Sequence, residues 1–181
     1  MRVLFTGGSA CGKSSYAERM ASALPGPRYY LATMVGSNDE EFLRRIERHH
    51  AMRRDRGFDS IERPRSVSGI DLADDSCVLL ECLCNLAANE MFDEDNRLDN
   101  GAFQRILDDI KVLEEKCAHL LVVTNDVGSG SALGYSDSTC AYVELLGSLN
   151  AALAERFDVV YELVCGIPLR VKGAPWEAEP Q

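Results

Sequence analysis

No run of apolar residues in this chain approaches the ~20 needed to cross a bilayer, so no membrane-spanning helix is expected. The sequence opens directly on strand-forming residues, which predicts no signal peptide and makes cytoplasmic residence the default. Its seven cysteines (11, 77, 82, 84, 117, 140 and 165) form no C-x-x-C pair and no Cys/His spacing suited to zinc. Several sit inside apolar runs, where a thiol behaves as a small hydrophobe. An odd count without a secretory signal argues for reduced thiols, so neither a disulfide nor a structural metal is expected. Positive charge is scarce too: 19 Lys and Arg against 29 Asp and Glu leave a net charge of −10. That balance disfavours nonspecific nucleic-acid binding. There is no internal repeat or interdomain linker, and 181 residues suffice for one well-buried core.

Against these absences stands one dense motif. Gly7-Gly8-Ser9-Ala10-Cys11-Gly12-Lys13-Ser14 completes the pattern G-x-x-x-x-G-K-[ST]. It lies between a short apolar run, Arg2 to Thr6, and a helical pattern that starts at Ser14, the strand–loop–helix context of a phosphate-binding loop (P-loop). Glycines let backbone N–H groups converge on a phosphate. Lys13 can reach the terminal phosphates, Ser14 can offer a hydroxyl to Mg²⁺, and the helix start adds partial positive charge. Chance produces such a string in roughly one chain of this size in a few hundred, before its flanks are considered. The motif specifies a phosphate and leaves the reaction open. Cys11 is either an oxidation-sensitive thiol or a small loop filler.

Strands and helices alternate along the rest. Strands are expected at 2–6, 28–33, 77–81, 119–124 and 158–165, with 169–171 turning back as an antiparallel edge. The first four are short, nearly continuous apolar runs, as in strands buried on both faces of a parallel sheet. Helices are expected at 14–24, 38–54, 83–91, 102–117 and 138–155. Phe103, Ile106, Leu107, Ile110, Leu113 and Cys117 share one face of the fourth, and Tyr142, Leu145, Leu146, Leu149 and Leu153 one face of the fifth. The pattern predicts a single α/β domain of P-loop NTPase type over 1–173: a mostly parallel central sheet, helices on both faces and a C-terminal antiparallel edge strand. The polar tail, 174–181, is expected to be disordered.

Two further features carry chemistry. A P-loop needs an acidic partner for Mg²⁺ and the attacking oxygen. Glu81 and Asp126 both follow apolar strands, whose carboxyl ends face the ligand crevice in an open α/β sheet. Glu81 is the stronger candidate, because an acid abutting a buried strand is costly without a function; capping the next helix is the alternative. The second feature is a basic island. Between Arg44 and Arg56, six arginines face only Glu47 and Asp55, giving +4 there and −14 elsewhere. That island is either an anion-handling site or a solvated helix face. With Phe42 as origin at about 100° per residue, His49 falls near −20° and Arg53 near +20°, on the inward stripe with Ile46. An inward His beside an inward Arg suits a nucleophile next to an anion-binding group. A satisfied structural histidine is the commoner reason for such a placement.

Taken together, the chain resembles the CobU-type bifunctional adenosylcobinamide kinase / adenosylcobinamide-phosphate guanylyltransferases. The resemblance runs from Arg2 to about Lys172 through Thr6 to Ser14, Tyr30-Leu31-Ala32-Thr33, Arg45 to His49 and Arg53. It continues through Phe58 to Glu62, Leu79 to Leu83 with Asn89, Val123 to Gly128, Gly147 with Asn150, and Gly166-Ile167-Pro168. It implies that His49 is the guanylylated histidine, attacking the α-phosphorus of GTP, and that Lys13 and Glu81 are catalytic. It also implies that ATP or GTP donates a γ-phosphoryl to adenosylcobinamide, with the P-loop serving both reactions. The residues implied to bind nucleotide are Gly7, Gly8, Ser9, Ala10, Cys11, Gly12, Lys13, Ser14, Ala32, Thr33, Met34, His50, Ala51, Met52, Arg53, Glu62 and Glu81. Ser14 and Glu81 would hold Mg²⁺. Adenosylcobinamide and its phosphate are the implied substrates, and a homotrimer whose neighbouring chains complete the site is the implied assembly. The sequence departs from the family at Ala10, where some members place an arginine, at Tyr142-Val143-Glu144, and at Phe58, which replaces a tryptophan. Two other classes fit the P-loop alone: another small-molecule kinase, and a GTP-dependent regulatory switch.

Overall fold

The computed structural model describes residues 1–35, 56–92, 98–127 and 134–176. The expected helix at 38–54, and with it His49, His50, Ala51, Met52 and Arg53, lies outside the described residues. Seven strands among the described residues form one sheet: β1 (Arg2–Thr6), β2 (Arg28–Ala32), β3 (Phe58–Glu62), β4 (Cys77–Leu80), β5 (His119–Val123), β6 (Val159–Val164) and β7 (Ile167–Lys172). Their order is β3-β2-β4-β5-β1-β6-β7. Strands β1 to β6 run parallel, and β7 returns antiparallel beside β6. The helices among the described residues are α1 (Lys13–Ala23), α2 (Leu83–Met91), α3 (Ala102–Lys116) and α4 (Asp137–Arg156).

The two-residue alternation of strand side chains divides the core into two halves. Val3 and Phe5 of β1, Leu79 of β4 and Leu121 and Val123 of β5 face α1, whose Tyr16, Ala17, Met20 and Ala21 cover them. Leu4, Val78, Leu80, Leu120 and Val122 face the other way, onto α2, α3 and α4. Sequence periodicity therefore placed these strands well, because each is buried on both sides. Strand β3 was not expected. Phe58-Asp59-Ser60-Ile61-Glu62 has neither alternation nor an apolar run, and it forms because β2 offers a free edge with register Arg28↔Phe58 to Ala32↔Glu62. In the tail, Trp176 packs partly buried against the α1-side core, while 177–181 lie outside the described residues.

An aromatic cluster fastens α1 beneath the P-loop. Phe5 stacks on Tyr161 with centroids 5.7 Å apart, and Tyr16 meets both edge-on at 6.0 and 5.6 Å. All three are almost fully buried. Phe5→Ala is expected to lower unfolding stability by about 3–5 kcal/mol, measured by urea denaturation. At the opposite end of β1, the Met1 ammonium donates to the Ala118 carbonyl at 2.9 Å and lies 3.4 Å from Nδ1 of His119. Burial, then the Met1 ammonium and Arg2, holds His119 below the usual imidazole range. The fold thus binds a proton at His119 less readily than the unfolded chain does. This contribution is full above about pH 6.5 and is lost as pH falls through the lowered value. His119→Gln is expected to flatten the fall in urea midpoint between pH 7.5 and pH 5.

Candidate active site

The site is built where β1 gives way to α1, in the middle of the carboxyl edge of the sheet. Gly7 has φ +133°, and a Cβ there would lie 2.5 Å from the Leu163 carbonyl of β6. Only glycine permits that approach. Ala10 (φ 56°) and Gly12 (φ +97°) both take left-handed conformations, the kind of backbone turn in which successive N–H groups can converge on an anion. Three backbone bonds hold this curl from outside. Asp126 N–H donates to Gly7 O at 3.2 Å, Gly166 N–H to Cys11 O at 2.9 Å, and Tyr16 N–H to Gly12 O at 3.0 Å. Helix α1 starts at Gly12 with no side-chain cap, leaving its first amides available to an anion.

Lys13 is buried, at 6% exposure. Its ammonium donates to Gly7 O at 3.0 Å and to Gly8 O, and lies 3.5 Å from the Cys11 sulfur. The loop is therefore closed on its own lysine, whose Nζ satisfies the carbonyls at the loop's mouth. Engaging a triphosphate requires the ammonium to exchange these carbonyls for phosphate oxygens, a charge-assisted and stronger bond.

A cavity of about 380 Å³ opens beside the loop. Ala10, Cys11, Gly12, Lys13 and Ser14 form one wall, and Glu81, Cys82, Asn85 and Val123 to Asn125 form the other. The structure thus brings Glu81 to the same cavity as Lys13 and Ser14. Asp126, the rival acid, uses its backbone to brace Gly7 and does not line the cavity. Ala32, Thr33, Met34 and Glu62 lie at the carboxyl ends of β2 and β3, outside this cavity but on the same sheet edge. Thr33 is fully buried, and its hydroxyl donates to Cys82 O at 2.9 Å. Met34 is exposed.

Several polar groups behind the wall were not foreseen as parts of the site. Asn89 donates to Thr33 O at 2.7 Å and Pro64 O at 2.9 Å, tying the ends of β2 and β3 to α2. Thr124 Oγ1 donates to Asn150 Oδ1 at 2.7 Å, and Asn150 Nδ2 donates to Asn125 O at 3.1 Å, tying β5 to α4. An asparagine on an otherwise inward helical face is the available sequence signal for such a brace. The Cys82 sulfur caps α2 by accepting from Asn85 N–H at 3.4 Å. Its hydrogen bond with Cys84, together with burial, pushes the Cys82 thiol up, so it lines the cavity as a neutral thiol. All seven cysteines are free thiols.

A P-loop on an interior strand of a mostly parallel sheet, with lysine, serine and a strand-end glutamate around one cavity, defines a nucleoside-triphosphate-binding α/β enzyme domain. The CobU model, described as cobinamide kinase / cobinamide phosphate guanyltransferase, matches residues 3–171. The chain belongs to this family. It is 30% identical over 185 residues to the bifunctional adenosylcobalamin biosynthesis protein CobU of Salmonella typhimurium, covering 95% of this chain and all of the relative. It is 31% identical over 178 residues to the bifunctional adenosylcobalamin biosynthesis protein CobP of Pseudomonas aeruginosa, covering 97% and 99%. CobU of Escherichia coli, with the same description, is 28% identical over 185 residues, covering 95% and 100%.

Lys13→Ala is expected to weaken triphosphate binding about 10- to 150-fold, the range of one lost charge-assisted bond, with the thermal unfolding midpoint little changed. Titration calorimetry with GTP checks the first part, and circular dichroism melting checks the second.

Proposed function

We propose that the chain phosphorylates adenosylcobinamide and then transfers GMP from GTP to the product, giving adenosylcobinamide-GDP in adenosylcobalamin assembly. The observation that carries this reading is the meeting of Lys13, Ser14 and Glu81 at one cavity, in a chain that the family model matches almost throughout.

In the first step a hydroxyl oxygen of the cobinamide aminopropanol arm attacks the γ-phosphorus of ATP or GTP. The bond from γ-phosphorus to its bridging oxygen breaks, and the nucleoside diphosphate leaves. Loop amides and Lys13 hold the phosphate oxygens as charge shifts onto the leaving group, and Glu81 orients the attacking oxygen. Ser14 and Glu81 offer the hard oxygen donors that Mg²⁺ prefers, and the ion bound there would neutralise phosphate charge.

In the second step an imidazole nitrogen of His49 attacks the α-phosphorus of GTP and pyrophosphate leaves, so that GMP is held through a P–N bond. A phosphate oxygen of adenosylcobinamide phosphate then attacks the same phosphorus, the P–N bond breaks, and His49 is restored. Splitting the exchange in two lets one phosphorus-binding site serve both partners in turn. Ala32, Thr33, Met34, His50, Ala51, Met52, Arg53, Glu62 and Glu81 are proposed to surround the guanine nucleotide. A cytoplasmic homotrimer, with neighbouring chains completing the site, belongs to the same proposal.

Incubation with GTP labelled at the α-phosphorus is expected to label the protein through an acid-labile, hydroxylamine-sensitive bond. His49→Ala should abolish the label, while adenosylcobinamide phosphate should chase it into adenosylcobinamide-GDP. Phosphorylation of adenosylcobinamide with no protein label would reduce the assignment to a small-molecule P-loop kinase. Nucleotide hydrolysis independent of the corrinoid would favour a regulatory switch.

A further inference from the structure

A second cavity, of about 450 Å³, lies on the other side of the P-loop and shares Gly12 and Ser15 with the first. Its walls are the outer face of α1, with Glu18 and Arg19, then Arg56, and Gly166 of the β6–β7 turn. The turn is a two-residue connection with both central residues left-handed, Cys165 at φ 51° and Gly166 at φ 84°. Open space surrounds the position a Cβ would take at Gly166. The turn is also latched to the loop through Gly166 N–H and Cys11 O. The cavity is thus one structural unit with the phosphate site.

Its chemistry is unusual for so acidic a chain. The Arg19 guanidinium stands 5.4 Å from the centroid of the Tyr16 ring. Arg56 is ion-paired with Glu18, with half of the arginine side chain still exposed. Two planar guanidinium groups and a carboxylate on one concave surface suit a purine: arginine planes stack on aromatic faces, and a carboxylate accepts from ring N–H or amino groups.

Reaction geometry supplies an independent argument. In-line phosphoryl transfer places acceptor and leaving nucleotide on opposite sides of the γ-phosphorus. Glu81, which orients the acceptor, lies in the cavity on the β4–β5 side of the loop. The leaving nucleoside diphosphate then extends the other way, over the first turns of α1.

We propose that the cavity between α1, Arg56 and the β6–β7 turn holds the base and ribose of the purine nucleoside triphosphate that donates the phosphoryl group. It is distinct from the position that the guanine takes at the ends of β2 and β3 during GMP transfer. The proposal rests on the reading of the P-loop as the phosphoryl-donor site. One loop then serves two reactions by letting the nucleoside leave it in two directions.

The test compares ATP with inorganic tripolyphosphate, which fills the loop but has no base. By calorimetry, Arg19→Ala is expected to bind ATP about tenfold more weakly than the unaltered protein and tripolyphosphate equally well. Its rate of labelling at His49 by α-labelled GTP should not change. Photolabelling of the unaltered protein with 8-azido-ATP should mark α1 or the β6–β7 turn. Undiminished ATP affinity, an equal loss for tripolyphosphate, a matching fall in His49 labelling, or photolabel confined to the ends of β2 and β3 would each overturn the proposal. Failure of the functional reading has a different signature: the unaltered protein would yield no His49 label and no phosphorylated corrinoid, whatever the ratio of ATP to tripolyphosphate affinity.

Discussion

The close approach of Gly7 to β6 is the constraint on which the rest of the site depends. At that point the chain leaves β1 so close to β6 that any Cβ would lie under 3 Å from the Leu163 carbonyl. The bend it makes there sets the course of the next five residues. It brings the Lys13 ammonium to the Gly7 and Gly8 carbonyls at the loop's mouth. Both neighbours of β1 take part: Asp126, just past β5, holds Gly7 by a hydrogen bond, and Leu163 on β6 leaves no room there for a side chain. A parallel sheet is suited to this task because it lines up the carboxyl ends of strands that are far apart in sequence. The anion site is therefore a property of three strands, although eight consecutive residues spell its motif.

Electrostatics follows the same economy. With a net charge of −10, the molecule repels a polyanionic substrate from most of its surface. Attraction has to be local. The loop supplies it through uncapped amides and one ammonium, which at rest is satisfied by Gly7 and Gly8 carbonyls and so costs little to keep buried. Glu81 adds negative charge on the β4–β5 flank of the loop.

How far the sequence revealed this arrangement depended on whether a residue's role was local. Strands β1, β2, β4 and β5 were legible because burial on both faces demands continuous apolar residues. The P-loop was legible because backbone curvature demands glycine at set intervals. The position of Glu81 at the cavity was legible because an acid directly after a buried strand falls at the carboxyl edge of the sheet. Strand β3 was not, since its five residues carry no pattern and owe their conformation to the edge of β2. Asn150 and Asn89 were legible as members of a family pattern, but not as braces, because their partners lie 25 to 56 positions away. The cavity beside α1 was invisible for the same reason: Ser15, Arg56 and Gly166 meet only after the sheet is assembled.

These braces explain why a polar layer lies behind a site whose chemistry needs only a few groups. Glu81 stands one residue beyond β4 and Asn125 two beyond β5, where the ladder of strand hydrogen bonds has ended. Without further support such residues sample many backbone states, at about 1–2 kcal/mol of entropy each. Glu81 N–H is held by Leu31 O at 3.0 Å, the adjoining Cys82 carbonyl by the Thr33 hydroxyl, and Asn125 O by Asn150. Each of these bonds ends on a backbone atom, so it fixes the main chain rather than a side chain. Thr33 and Thr124 are almost fully buried, which makes an unpaired partner expensive and the arrangement close to all-or-none. A phosphoryl-transfer site works by holding charges where the transition state will need them. In this fold that requirement is met by the residues behind the cavity wall as much as by those that face the phosphate.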